Sequence, residues 1–426
     1  MLSRFRWAAG FLSILSVLLP DPTASQQVVD LPEKDRPLAV SEEVVFSVGS
    51  MAGEEWETFA KVGGVAFDEG GNLYVLDTQN FRVVKVGPEG DFVAELGRPG
   101  GGPGEFGQPL AFSVTRSGEV RVFDLGHQGF TVFNPDGSFK NTARVSGGGF
   151  FVPNGGLMSL PDGDMVDGGK ASLKLVSSGM SDELLAPRPV HLLRLSDETE
   201  IATAYAAWNP LSVAGAQKEV TFSGGGIQMT GTPMRAFDAG LFVGVLPDGR
   251  LAVADTTTYL IKVVEPGHGV TRAFRRPFTP REVSRRDETA ERERQLDQIA
   301  ASEGSSGGGR AYSNDESGGT SISIGAGRAA ELLRSRVETM EFGDEVPVLA
   351  DMAVDWAGRI WVERTGPRVG AKGPIDLIDA DGRYLGSIGP EKFRLPDAFG
   401  PNGLAAFIET DEMDVPRIVV KRLGLE

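Results

Sequence analysis

The chain has 426 residues, with 57 Gly, 26 Pro, no Cys and a formal charge of -17. Turn formers in that number, set among short Val, Leu and Phe runs, favour a large all-β unit over long helices. The lack of thiols excludes disulfides, thiolate metal sites and Cys nucleophiles, and the acidity opposes nucleic-acid partners, whose phosphates need clustered Lys and Arg.

Residues 1–25 read as a signal peptide. Arg4 and Arg6 precede an apolar run over 7–19, and small residues close the segment at Ser25. The run is too short to span a bilayer comfortably, so the expectation is export to the periplasm or the extracellular space, with no membrane insertion after cleavage. Residues 26–40 read as an N-terminal linker.

From residue 41 a repeat organises the chain. "VAFDEGGNLYVLDTQNFRVVKVGPEGDFVAEL" (65–96) aligns without a gap to "FSVTRSGEVRVFDLGHQGFTVFNPDGSFKNTA" (112–143), setting Gly71 on Gly118, Asp77 on Asp124 and Gly90 on Gly137. Further copies begin at Leu157, Val243 and Met352. Each contains four short alternating runs split by Asp-Gly or Gly-Gly type turns that suit tight hairpins. Four-stranded antiparallel units repeating at such a length are the blades of a propeller. The C-terminal stretch from Phe393 supplies three strands of a sixth blade, and residues 44–48 supply the fourth. The expected fold is therefore an all-β, six-bladed β-propeller over 41–426, closed by an N-terminal strand. The glycine-rich "GRPGGGPGEFGQP" (97–109) lacks the Gly-Lys-Ser/Thr of a phosphate loop and leads into the alternating Leu110, Phe112 and Val114, so it reads as a crossing between blades.

"GGGPGEFGQPLAFSVTRSGEV" and "LYVLDTQNFRVVKV" resemble NHL repeats, with their Gly-rich link ending in Gly-x-Phe and their Asp-x-x-Asn-x-Arg-Val element. The resemblance covers roughly 41–426, inserts excepted, and implies an exported bacterial six-bladed propeller; it implies no particular activity. The Asp-x-x-Asn-x-Arg element is intact only at Asp77, Asn80 and Arg82. The second blade has Asp124, His127 and Gly129 there, and a later copy has Asp255, Thr258 and Leu260.

Insertions lengthen the repeat at 170–189, 206–240 and 279–348, in loops and links that emerge on one face of a four-stranded meander. The last contains two stretches of helical composition joined by a Gly/Ser tract, and predicts a helical insertion between the fourth and fifth blades.

Candidate ligand-binding residues collect on that face. Trp56, Arg98 and Trp208 sit in links and are of the types that anchor interfaces. Asp77, Asn80, Asp124, His127 and Asp255 lie at or just after the ends of second strands, where an Asp also serves to brace a turn. Asn154, Asp238, Asp351 and Asn402 lie near inner strands and offer oxygens suited to calcium. His127, His191 and His268 fall in different parts of the repeat and cannot share one ion. Trp356 and Trp361 read as packing. No catalytic residue is assigned. The chain reads as a monomeric, non-enzymatic binding scaffold for protein, peptide or glycan, without a cofactor. The alternative is a metal-dependent lyase or lactone hydrolase using calcium or zinc at the channel mouth.

Overall fold

The computed structural model of the protein describes residues 27–145, 153, 156–168, 188–196, 198–210, 220–224, 227–231, 233–304, 310–312, 321–323, 326–411 and 415–426. The expected signal peptide, Asn154 and most of the 170–189 insertion lie outside the described residues.

The fold is all-β and propeller-like. After β1 (Gln27–Asp30) and β2 (Val40–Val48), strands β3 (Val62–Phe67), β4 (Leu73–Asp77), β5 (Arg82–Val86) and β6 (Phe92–Leu96) pair in chain order as an antiparallel sheet. The same order recurs in β7 (Pro109–Val114), β8 (Val120–Asp124), β9 (Gly129–Phe133) and β10 (Phe139–Val145). It recurs again in β11 (Leu157–Ser159), β12 (Met165–Asp167), β13 (Arg188–Leu195) and β14 (Glu198–Ala207). The hairpin β15 (Val220–Gly224) and β16 (Ile227–Gly231) and the short β17 (Arg235–Ala236) lead to β18 (Phe242–Val245), β19 (Leu251–Ala254), β20 (Leu260–Glu265) and β21 (Gly269–Arg275).

The largest insertion follows, with β22 (Arg281–Glu282), α1 (Arg285–Gly304), β23 (Arg310–Tyr312), β24 (Ser321–Ser323), α2 (Ala326–Glu338), β25 (Glu341–Phe342) and β26 (Glu345–Val346). Ser284 caps α1: its hydroxyl accepts the Asp287 N–H and the Asp287 carboxylate accepts the Ser284 N–H, a reciprocal pair that satisfies amides at the helix start. The last sheets are β27 (Leu349–Val354), β28 (Ile360–Thr365), β29 (Lys372–Ile378) and β30 (Tyr384–Ile388), and then β31 (Ala398–Phe399), β32 (Leu404–Thr410) and β33 (Pro416–Leu425), completed by β2. The β2–β33 register runs from Val40 opposite Leu425 to Val48 opposite Ile418, so the closing strand is longer than the 44–48 stretch expected.

Six separate sheets are not what forms. Strands β7 to β14 make one eight-stranded sheet, because the outer strands β10 and β14 meet in parallel at Arg144–Glu198 and Val145–Thr199. Residues 27–40, within the stretch read as a linker, pair with the sheets. β1 adds in parallel to the outer edge of β21, Pro37 bridges to Ser387 of β30, and β2 then joins β33. The segment is a belt across the outer edges of three successive sheets, and Leu31 is 6% exposed within the apolar cluster beneath it.

Apolar clusters join each run of four strands to the next. Leu76 and Val83 pack with Phe112 and Val122, and Phe123 and Phe130 with Met165 and Leu193. Val166 and Leu192 pack with Val243 and Val253, Ile261 with Val362, and Leu377 with Phe407. Ala406 and Ile418 return to Phe67 and Val75, closing the ring. The 97–109 crossing is held by its own backbone: Phe106 N–H donates to the Arg98 carbonyl at 2.8 Å and Gly100 N–H to the Phe106 carbonyl at 3.0 Å. Phe106 is wholly buried, and a Cβ on Gly97, at φ +82°, would meet its ring at 2.0 Å, so only glycine fits there.

Candidate functional site: the central channel

The first strand of every run of four faces a common cavity of about 930 Å³, lined by parts of β3, β7, β11, β18, β27 and β31. Small residues let these inner strands approach one another: a Cβ on Gly64 would lie 3.3 Å from the Phe112 ring and one on Gly244 2.4 Å from Val354. Its two ends differ chemically. At the end where one run links to the next stand Asp351, Glu363, Lys372, Arg394 and Asp397. Lys372 Nζ lies 3.2 Å from Glu363 Oε1, and Arg394 Nη1 donates to Asp397 Oδ2 at 3.0 Å. Asp351 Oδ1 accepts the Met352 N–H at 2.8 Å. A second cavity of about 410 Å³ adjoins this end and shares Lys372 and Arg394.

At the opposite end, where the inner strand turns into the next, the Arg116 guanidinium stacks over the Trp356 ring at 4.8 Å from its centroid. Arg116 comes from the β7–β8 turn and Trp356 from the β27–β28 turn, on sheets that share no apolar cluster among the described residues. The stack therefore spans the channel. On β11, which lines the same cavity, the Ser159 hydroxyl is buried with no hydrogen-bond partner among the described residues.

The residues singled out from the sequence divide sharply. Asp77 is fully buried, and its oxygens accept the Ala60 and Lys61 N–H groups of the preceding link and the Asn80 amide. Asp124, also fully buried, accepts the Gly107 and Gln108 N–H groups at 2.7 and 2.8 Å. Asp255 accepts the Trp208 N–H at 2.9 Å and Lys262 Nζ at 2.6 Å. These carboxylates pin each link to the strand beside it. Asn80 is held to Thr58 and Asp77. His127 Nδ1 lies 3.6 Å from Asp124 Oδ2. Trp56 packs on Phe92 with ring centroids 5.5 Å apart, Arg98 pairs with Glu105, and Trp208 is 36% exposed.

The described members of the calcium set do not converge. Both oxygens of Asp238 receive the Arg235 guanidinium, and Asn402 sits in the β31–β32 turn, at the opposite end of the channel from the link-end Asp351. Asn154 lies outside the described residues. No three His, Asp or Glu side chains that could hold a metal ion come together among the described residues.

Sequence reasoning missed Arg116. Trp356, read as packing, does pack against the cluster of Phe67 and Val75, and it also carries Arg116 over its ring; Trp361 is buried, with its Nε1–H donating to Asp355. A signal was there: Arg116 and Trp356 each stand two residues before a turn glycine, Gly118 and Gly358, where two other copies have Pro161 and Pro247.

No family model matches the chain, the NHL repeat included, and no curated protein matches it. Solved structures similar in fold include a Bacteroides fragilis protein named as exported (12% identity, TM-score 0.46, covering 93% of this chain and 100% of that one). Virginiamycin B lyase from Staphylococcus aureus is similar at 12% identity and TM-score 0.36, covering 90% and 99% of the two chains. A gluconolactonase from Xanthomonas campestris is similar at 11% identity and TM-score 0.35, covering 92% and 97%. These likenesses carry nothing about activity. No helix among the described residues is long and apolar enough to cross a membrane.

Proposed function

We propose that the protein is an exported ring of six four-stranded units, the eight-stranded sheet counting as two, that acts as a monomeric, non-enzymatic binding scaffold. The six-unit reading is supported by the apolar clusters, one between each consecutive pair of units. Export rests on the tripartite pattern of residues 1–25. The partner is a protein, peptide or glycan engaged at the link end of the channel.

The observation that carries this reading is the mouth itself. A concave, half-apolar site opens there among charges of both signs, Lys372 and Arg394 beside Glu363 and Asp397, which suits a partner with mixed polarity. The helical insertion stands on the same side: a Cβ on Gly370, in the β28–β29 loop, would lie 3.8 Å from Arg294 of α1. The repeated carboxylates Asp77, Asp124 and Asp255 are engaged in holding the links.

Peptide and glycan arrays probed with the mature protein test the reading. Saturable binding is expected, reduced roughly tenfold or more by charge reversal of Lys372 and Arg394 and unchanged by reversal of Arg272 on the outer rim. Array binding indifferent to the mouth would overturn it. So would a rise in melting temperature with calcium or zinc that Asp351→Ala abolishes, since only a folded-state ion site gives such a shift; that result favours the metal-dependent lyase or lactonase reading.

A further inference from the structure

We propose that the turn end of the channel is a separate site for a small amphipathic anion, a carboxylate or sulfonate with an apolar body, held by Arg116 and Ser159 against Trp356. This goes beyond the scaffold reading, because it concerns the interior of the ring and not the partner at its mouth.

Three observations converge on it. The arginine and lysine at the mouth are already matched to carboxylates, Lys372 to Glu363 and Arg394 to Asp397. Arg116 is not: among the described residues its guanidinium makes no ion pair or side-chain hydrogen bond, and its one close partner is the Trp356 ring face. Stacking leaves the in-plane N–H donors of a guanidinium free, and two oxygens of a carboxylate or sulfonate match them in pairs. The second observation is the Ser159 hydroxyl, buried in the wall with no hydrogen-bond partner among the described residues. A buried donor without a partner is costly, and a change of the Ser159 rotamer that turns the hydroxyl into the channel lets a bound acceptor satisfy it. The third is the wall between: Phe67, Val114, Val245 and Val354 all line the cavity and offer an apolar body its contacts. The volume of about 930 Å³ lies in the range of small-molecule sites. On a chain of net charge -17, a cation that pairs with no carboxylate among the described residues also selects the sign of what enters.

Anilinonaphthalene sulfonate and its uncharged counterpart phenylnaphthylamine are the probes, with decanoate as competitor. Saturable binding of one sulfonate per chain is expected, displaced by decanoate. Arg116→Gln weakens it roughly tenfold, Arg116→Lys restores most of it, and Ser159→Ala weakens it about threefold. Phenylnaphthylamine is indifferent to Arg116→Gln but loses affinity with Trp356→Leu. The proposal is overturned if Arg116→Gln binds the sulfonate like the wild type, if the neutral probe loses as much, or if decanoate displaces nothing. Arg116 sits on an exposed turn, so Arg116→Gln melts with the wild type; should it unfold, Ser159→Ala and the decanoate competition decide the matter.

Discussion

At the scale of the residue, the recurring aspartate closing the second strand is a clamp. Asp124 receives two link amides while fully buried, so Asp124→Ala strands the Gly107 and Gln108 N–H groups and is expected to cost about 1–3 kcal/mol in urea unfolding. Arg98→Ala, at a side chain 76% exposed in its pair with Glu105, should stay within about 0.5 kcal/mol. Asp35 makes a pH-dependent clamp. Burial raises its pKa, but hydrogen bonds and charge from Arg364 and Arg276 outweigh burial and leave it below the ordinary value. Its contribution is thus full above the unfolded carboxylate pKa of about 4 and is lost as pH falls through the lower folded value. Measured from neutral pH downward, the stability gap between wild type and Asp35→Asn should hold to about pH 4 and shrink below it. A gap that widens on acidification would contradict the ion-pair account.

At the scale of the element, the belt is the unusual part. The buried Arg276 receives it: Nε donates to the Pro32 carbonyl at 2.8 Å and Nη2 to Asp35 at 2.9 Å, while Nη1 donates to the fully buried Asp376 at 2.7 Å. One side chain thereby ties the belt to the sheets ending in β21 and β30, and the rings of Tyr384 and Phe278 stack on it at 4.5 and 4.7 Å. Because Leu31 is buried in the cluster beneath the belt, Leu31→Ala should cost about 2–5 kcal/mol, whereas Val28→Ala, at 47% exposed, should cost little. Equal, small losses at both positions would mean that the belt only rests on the ring.

At the scale of the whole molecule, closure is what makes a site. The inner strands are short and rich in small residues, so no single sheet holds a ligand; only their convergence encloses the channel. The two ends then acquire different chemistry from different parts of the repeat. Links bring Arg394 and Asp397 to the mouth, and turns bring Arg116 and Trp356 to the far end. The mouth presents matched charges, while the far end keeps a cation and a hydroxyl unmatched.

The all-β, hairpin-repeat character was legible in the chain because it is local. Alternating runs and glycines at positive φ, such as Gly71 and Gly118, specify strands and turns within a few residues of themselves. Pairings between distant segments were not. The parallel contact of β10 with β14, the belt's grip on β21 and β30, and the stack of Arg116 on Trp356 join residues far apart in sequence, each depending on how sheets pack. The same holds for the carboxylates. Spacing placed Asp77, Asp124 and Asp255 at one point of the repeat, but an aspartate there can brace a link or meet a ligand with equal sequence economy. Tertiary packing decided for bracing, because the link amides lie within hydrogen-bond reach once the sheets close, and a buried carboxylate without them would be costly.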